Sequence, residues 1–409
     1  MVIDPFAKAG LHDAEAVLQA HGVDAYFRAV EGWTSDGYAI LDGRKVLMAG
    51  SNDYLGLSRH PRVIAAAVEA LGRYGTSVSG SRPLNGTIDL HERLEARIAA
   101  FLGQESAAVA TTGFQANLAL AAAMGPGDVA FSDARNHASL IDGLRLGAGT
   151  VRSYRHTDLA HLRRRLEAAT EPGGRLIVTD GVFSMEGDVA PLRGLRDLAD
   201  EFGAKLIVDS AHDLGVLGHR GAGLHEATGL SSRADLITAT FSKALGSTGG
   251  VIAGPAANVR RLRYNARSLV FSAGLPPASA AAALAALEVL IEEPQRRERL
   301  HTLSRLLHNG LRAIGLDTRP SVTPIVPLSF PDMASAGTFW AALCEAGVLV
   351  NLVGPPATSR AMLRITLTAT HDESHAERVV KAVTEVAHRL GTPRAPHPLP
   401  PVIHATHLF

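Results

Sequence analysis

Between about residues 60 and 295 the chain alternates short runs of β-branched and other apolar residues with longer alanine-rich stretches of helical period. Val109, Val129–Phe131, Val151–Tyr154, Leu176–Thr179, Leu206–Val208, Leu236–Thr240 and Val251–Ala253 mark the strands of this pattern. Runs this short with little polar alternation predict strands covered on both faces. Their regular alternation with helices predicts an α/β fold built on a mostly parallel seven-stranded sheet. From about residue 296 the pattern changes to helices over Arg296–Ile314, Ala334–Ala346 and Glu373–Leu390, interleaved with short strands at Pro324–Phe330 and Arg364–Thr368, which predicts a smaller α+β domain. Ahead of both lies a segment with a predicted helix from Leu11 to Glu31 and a hairpin at Asp42-Gly43, a dipeptide suited to a two-residue turn. Gly391–Phe409, with five prolines, predicts a loosely ordered tail. The expected organisation is therefore an N-terminal segment (1–59), a large domain (60–295), a small C-terminal domain (296–390) and a tail (391–409).

Composition narrows the function classes. The 409 residues are 46% hydrophobic, enough for a large core, and 40 basic side chains balance 40 acidic ones, so no field draws the chain to nucleic acid or an anionic membrane. The longest apolar stretch, Ala278–Ile291, is too short to span a bilayer, and no integral membrane segment is expected. A single cysteine, Cys344, excludes an intrachain disulfide and a cysteine-rich metal site. No metal is expected, and the three tail histidines, His397, His404 and His407, have no ligand-like spacing. The absence of an apolar run in the first residues adds to the expectation of a cytoplasmic protein.

Sheets of this kind bind ligands at the carboxyl ends of their strands, so the residues that follow each strand carry the candidate chemistry. Lys243 follows Leu236–Thr240 and is flanked by Thr240, Ser242 and a glycine-bearing turn. A lysine so placed can form a Schiff base with pyridoxal phosphate while its neighbours hold the phosphate, although a surface lysine after a buried strand gives the same local pattern. Asp209 closes Leu206–Val208 and precedes Ser210-Ala211-His212. A carboxylate at a buried strand end needs a cationic partner, which a protonated pyridine nitrogen supplies; a helix N-cap is the plainer alternative. Gly113-Phe114-Gln115-Ala116-Asn117 opens a helix after the strand at Val109 and offers backbone N–H groups to a phosphate. His137 follows Val129–Asp133 and is suited either to lie on an aromatic ring or to cap the next helix.

Taken in order, Ser-Asn-Asp-Tyr-Leu-Gly-Leu (51–57), Gly-Ser-Arg-Pro-Leu-Asn-Gly-Thr (80–87), Thr-Gly-Phe-Gln-Ala-Asn (112–117), His-Ala-Ser-Leu (137–140), Asp-Gly-Val-Phe-Ser-Met-Glu-Gly-Asp (180–188), Val-Asp-Ser-Ala-His (208–212), Thr-Phe-Ser-Lys (240–243) and Leu-Arg-Ile-Thr-Leu-Thr-Ala-Thr-His (363–371) closely resemble the α-oxoamine synthases. These are fold-type I pyridoxal phosphate enzymes, and within them the motifs are most similar to the bacterial serine palmitoyltransferase branch. The resemblance implies a decarboxylative Claisen condensation of an L-amino acid with an acyl thioester of coenzyme A or an acyl carrier protein, giving an α-amino ketone. It implies Lys243, Asp209, His137 and His212 as catalytic residues. Gly113, Phe114, Ser184, Thr240, Ser242 and Ser272 would complete the cofactor site with them, and Asn52, Arg82 and Arg364 would bind substrate. It also implies a homodimer, with Ser272 reaching the phosphate of the neighbouring subunit.

Three departures from the family pattern bear on substrate. Ser210 and Asp213 flank the Ala-His pair at positions of different character in many members, and Ala273 and Gly274 replace hydroxyl residues beside Ser272. Gly354 stands where serine-using members carry an arginine, so it is expected to leave space that a larger or acidic amino acid fills, with Arg360 nearby. The alternatives are an aminotransferase of the same fold type and, within the family, a serine palmitoyltransferase or 8-amino-7-oxononanoate synthase proper.

Overall fold

The computed structural model describes residues 13–391 except 35, 232 and 319–320. The expected tail thus lies, apart from Gly391, outside the described residues, as does Leu11 at the start of the predicted first helix. The described chain forms two compact units, one of residues 52–184 and 188–298, the other of 13–51, 185–187 and 299–391.

In the second of these units the strands Val30–Trp33 (β1), Tyr38–Leu41 (β2) and Arg44–Met48 (β3) precede the large sheet in sequence. Asp42 and Gly43 close the β2–β3 hairpin with φ of 50° and 68°, the positive pair a tight two-residue turn requires. The predicted helix from Leu11 to Glu31 is corrected: the helix is Asp13–Ala20, because Gly22 turns left-handed at φ 68° and Val23 N–H bonds back to the Leu18 carbonyl. The N-terminal strands do not stand apart as their own segment. Val348–Leu349, numbered β12 below, pairs parallel to β3 and completes a four-stranded sheet.

The large sheet belongs to the first unit and contains all seven strands predicted between residues 60 and 295: Ser106–Ala110 (β4), Val129–Asp133 (β5), Thr150–Tyr154 (β6), Arg175–Asp180 (β7), Lys205–Asp209 (β8), Leu236–Thr240 (β9) and Gly250–Gly254 (β10). Their order is β4-β10-β9-β8-β7-β5-β6, parallel throughout except that β10 runs against both its neighbours. Strands β5, β9 and β10 are buried along their whole length, which explains the absence of polar alternation in their sequences. Since β10 is antiparallel, its beginning rather than its end meets the carboxyl ends of the others. Thr248 and Gly249 therefore arrive at the same edge as the residues that follow β4, β5, β7, β8 and β9.

Helices pack closely where glycine permits it. The helices Gly113–Leu118 and Ala138–Arg145 touch at Gly143, where a Cβ would come 2.3 Å from the Asn117 carbonyl oxygen. This approach sets the distance between the helix bearing Asn117 and the helix that follows His137.

The second unit continues with Val326–Phe330 (β11), β12, Asn351–Val353 (β13) and Ala361–Ile365 (β14), of which β11, β14 and β13 form a three-stranded antiparallel sheet in that order. Its core gathers Leu303, Leu307 and Leu311 from one helix with Phe339, Leu343, Leu363, Val379 and Val383. The Trp340 indole N–H, inside this core, donates to the Val350 carbonyl at 2.8 Å.

Candidate active site

A cavity of about 260 Å³ opens at the carboxyl ends of the large sheet. It is lined by Gly113, Phe114, His137, Ser184, Asp209, His212, Thr240, Ser242 and Lys243, each of which the sequence had pointed to. Asn117, Ser139 and Asp180 also line it, and the sequence argument had given them no role.

Asp209, the last residue of β8, is buried with 3% exposure. It is not a helix cap. Its carboxylate accepts from the Asn117 side-chain amide at 2.7 Å and from the Ala211 backbone N–H at 2.9 Å. The Asn117 amide also donates to the Ser139 hydroxyl at 2.9 Å, and that hydroxyl lies 2.7 Å from His137 Nδ1. His137 caps the helix Ala138–Arg145 through the Ser139 N–H, and it also lines the cavity. Burial holds its imidazole below the usual range; nearby Asp209 opposes that shift and Lys243 adds to it. On the next strand Asp180 lies opposite Asp209 in register, fully buried, and accepts the His137 N–H at 2.7 Å. Desolvation and the like charge of Asp209 raise the Asp180 carboxyl well above the usual carboxylate range. His212 Nδ1 meets the Tyr54 hydroxyl at 2.6 Å, which fixes the ring's orientation.

On the other side of the cavity the Thr240 and Ser242 hydroxyls lie 2.8 Å apart and face the start of the helix Gly113–Leu118. A Cβ on Gly113 would come 2.7 Å from the Thr240 Cβ, so only glycine allows the 113–114 backbone this close to those hydroxyls. Backbone N–H groups at a helix start, two hydroxyls, a lysine amine and a buried carboxylate form the donor set that pyridoxal phosphate requires, and the residues present fit it.

The remaining candidates are placed differently. Ser272 accepts from the Gln115 amide at 3.1 Å and is not among the lining residues of its own chain's cavity. Arg82 does not reach the cavity; it pairs with Glu95 at 3.0 Å and donates to Thr87 at 2.9 Å. Asn52 is likewise absent from the described lining. In the other unit Arg364 is buried on β14 with 4% exposure. The space expected at Gly354 is also corrected: it is taken by Met333, whose sulfur would lie 2.3 Å from a Cβ there. Asp213, one of the unusual positions, is fully buried and accepts the Leu224 N–H at 2.8 Å, and burial lifts its carboxyl to about 7.

The model of the aminotransferase class I and II family matches residues 44–383. Serine palmitoyltransferase of Sphingobacterium spiritivorum is 42% identical over 374 residues, covering 90% of this chain and 93% of its own. The 8-amino-7-oxononanoate synthase of Geobacter metallireducens is 44% identical over 381 residues, covering 92% and 97%. The chain belongs to the α-oxoamine synthases. A solved structure of serine palmitoyltransferase from S. paucimobilis with PLP and myriocin bound superposes with a TM-score of 0.91 at 33% identity, over 95% of this synthase and 100% of that chain. The synthase is accordingly a fold-type I, pyridoxal phosphate-dependent enzyme.

One buried cluster in the same unit makes folding stability depend on pH. His156 lies between two carboxylates, with Nδ1 2.9 Å from Asp133 and Nε2 2.8 Å from Asp188, and its ring meets Phe183 edge-on. Burial disfavours the imidazolium, but the two carboxylates outweigh it and the pKa stands at about 9. Because the folded value exceeds the unfolded one, the stabilisation is complete below about pH 6.5 and disappears as pH rises through about 9, a contribution of about 3 kcal/mol. Urea unfolding of the cofactor-free protein should show the gap between wild type and His156→Gln narrowing by roughly that amount between pH 6 and 10. A gap that stays constant across this range means His156 is not held charged.

Proposed function

We propose that this chain condenses an L-amino acid with an acyl thioester, releasing the thiol and carbon dioxide and leaving an α-amino ketone. The observation that carries this is the meeting of Asp209, His137, His212 and Lys243 around one cavity, in a chain whose relatives are named for two such reactions. Pyridoxal phosphate, when bound, supplies the electron sink for the charge that develops at the amino acid's α-carbon. Thr240, Ser242 and the amides of Gly113 and Phe114 would hold its phosphate, and Ser184 and His212 its phenolic side. Asp209 keeps a proton on the pyridine nitrogen, and burial beside the Asn117 amide keeps that carboxylate from rotating away. Lys243 would hold the cofactor through its Nζ, and the same amine would be the base that takes the α-proton. His137 orients the reacting group, and Arg364 binds the amino acid's carboxylate, a match of guanidinium and carboxylate that fixes which α-carbon bond is broken. A homodimer places Ser272 at the neighbouring subunit's phosphate.

Borohydride reduction followed by peptide mass mapping should find the pyridoxyl group on Lys243. Recovery on Lys8, Lys45, Lys205 or Lys381 instead would overturn the assignment.

Asp209→Asn replaces the charge with an amide that cannot hold the pyridine nitrogen protonated. Cofactor should still bind in part while kcat falls by orders of magnitude; a change within about threefold, roughly 0.6 kcal/mol, removes Asp209 from this role.

For the amino acid, Gly354 supplies no guanidinium, so recognition of the carboxylate rests on Arg364, and Arg364→Ala should weaken amino acid binding severely. Met333 fills the space beside Gly354 and leaves no room there for a larger side chain, while the missing guanidinium still disfavours serine as the best substrate. Offered an equimolar amino acid mixture with one acyl donor, the enzyme should not make the serine-derived ketone in tenfold excess. That excess would identify a serine palmitoyltransferase.

A further inference from the structure

The hydrogen bonds around His137 have a direction that follows from which atoms carry protons. Asn117 cannot be turned over, because its carbonyl oxygen would then face the Asp209 carboxylate at 2.7 Å; its Nδ2 must be the atom that meets Asp209. The same Nδ2 supplies its second hydrogen to the Ser139 hydroxyl at 2.9 Å. Having accepted there, Ser139 Oγ has its one proton left to give, and the neighbour at 2.7 Å is His137 Nδ1. The Ser139 backbone N–H, a donor only, points at that same nitrogen at 3.3 Å. Two donors therefore converge on Nδ1, which must accept, and the ring's proton is left on Nε2.

We infer that Asn117 and Ser139 are positioning residues that lock His137 as the neutral, Nε2-protonated tautomer. Resting on the α-oxoamine synthase assignment, this leaves the cavity-lining histidine its Nε2–H as a donor and couples its protonation to Asp209 through one amide and one hydroxyl. Asn117 and Ser139 act in this scheme through their hydrogen bonds to Asp209 and His137. A protonated His137 would set its own Nδ1–H against the Ser139 N–H, so the arrangement opposes the imidazolium on geometry as well as by burial.

The test reads the tautomer rather than turnover. Full-length protein labelled with ¹⁵N-histidine, cofactor-free and cofactor-loaded, is examined by long-range ¹H–¹⁵N correlation, with the His137 signals identified by their loss in His137→Gln. In wild type, His137 should show an unprotonated Nδ1 and a protonated Nε2. In Ser139→Ala the Nδ1-protonated form should rise roughly tenfold, the ratio set by one ordinary hydrogen bond, and the ring should protonate at higher pH; Ser139→Thr, which keeps the hydroxyl, should restore the wild-type pattern. A protonated Nδ1 in wild type overturns the proposal, even if Ser139→Ala does not fold. So does a Ser139→Ala spectrum identical to wild type. Because the cofactor-free protein is measured, failure of the condensation assay would leave this outcome untouched, and failure here would leave the condensation assignment standing.

Discussion

The site is built around one carboxylate held in the interior by directed hydrogen bonds. Asp209 is buried at the end of a strand whose other residues are largely apolar, and an unpaired charge there would cost several kcal/mol. Two neutral donors, the Asn117 amide and the Ala211 N–H, meet the carboxylate without neutralising it. Neutral donors satisfy the carboxylate without bringing a charge of their own, as an arginine in their place would. The glycine at 143 belongs to the same constraint, since it lets the helix carrying Asn117 approach the helix carrying Ser139.

Around this carboxylate the sheet distributes its other acids so that charges do not accumulate. Asp180, opposite Asp209 in register, has its carboxyl raised by that neighbour and serves as an acceptor for the His137 backbone. Asp133 and Asp188 share His156 instead, a cation placed between two anions, which ties the end of β5 to the loop that carries Ser184. The Asp180 carboxyl is thus raised by its neighbour, whereas Asp133 and Asp188 are bridged by the His156 imidazole.

The large sheet was legible because its strands are short, apolar on both faces and separated by helical periods; each predicted strand is present in the structure. Its antiparallel member was not, since Val251–Ala253 has the same composition as the parallel strands and direction has no local signature. The first helix was overextended because an amphipathic run continues past Gly22, whose left-handed backbone ends the helix. Lining residues that follow strands were visible from position alone. Asn117 and Ser139 stood inside recognised motifs, yet their role depends on two helices meeting across twenty-two residues of sequence, a tertiary fact. The Arg82–Glu95 pair was hidden for a related reason, since Glu95 lies thirteen residues on, along the next helix.

The glycines at 113 and 354 show why an absent side chain has to be judged by what surrounds it. At both positions a Cβ would collide with a neighbour, so neither glycine marks open space. At Gly113 the neighbour is Thr240, a hydroxyl residue facing the cavity, and the missing Cβ brings backbone donors and a hydroxyl together where an anion can be held. At Gly354 the neighbour is Met333, an apolar residue of the second unit's core, and the missing Cβ admits a thioether to that packing. From sequence both are small residues at motif positions. Only the chemistry of the atom that fills the gap separates a glycine that builds a binding surface from one that completes a core, and the substrate argument at Gly354 turns on that difference.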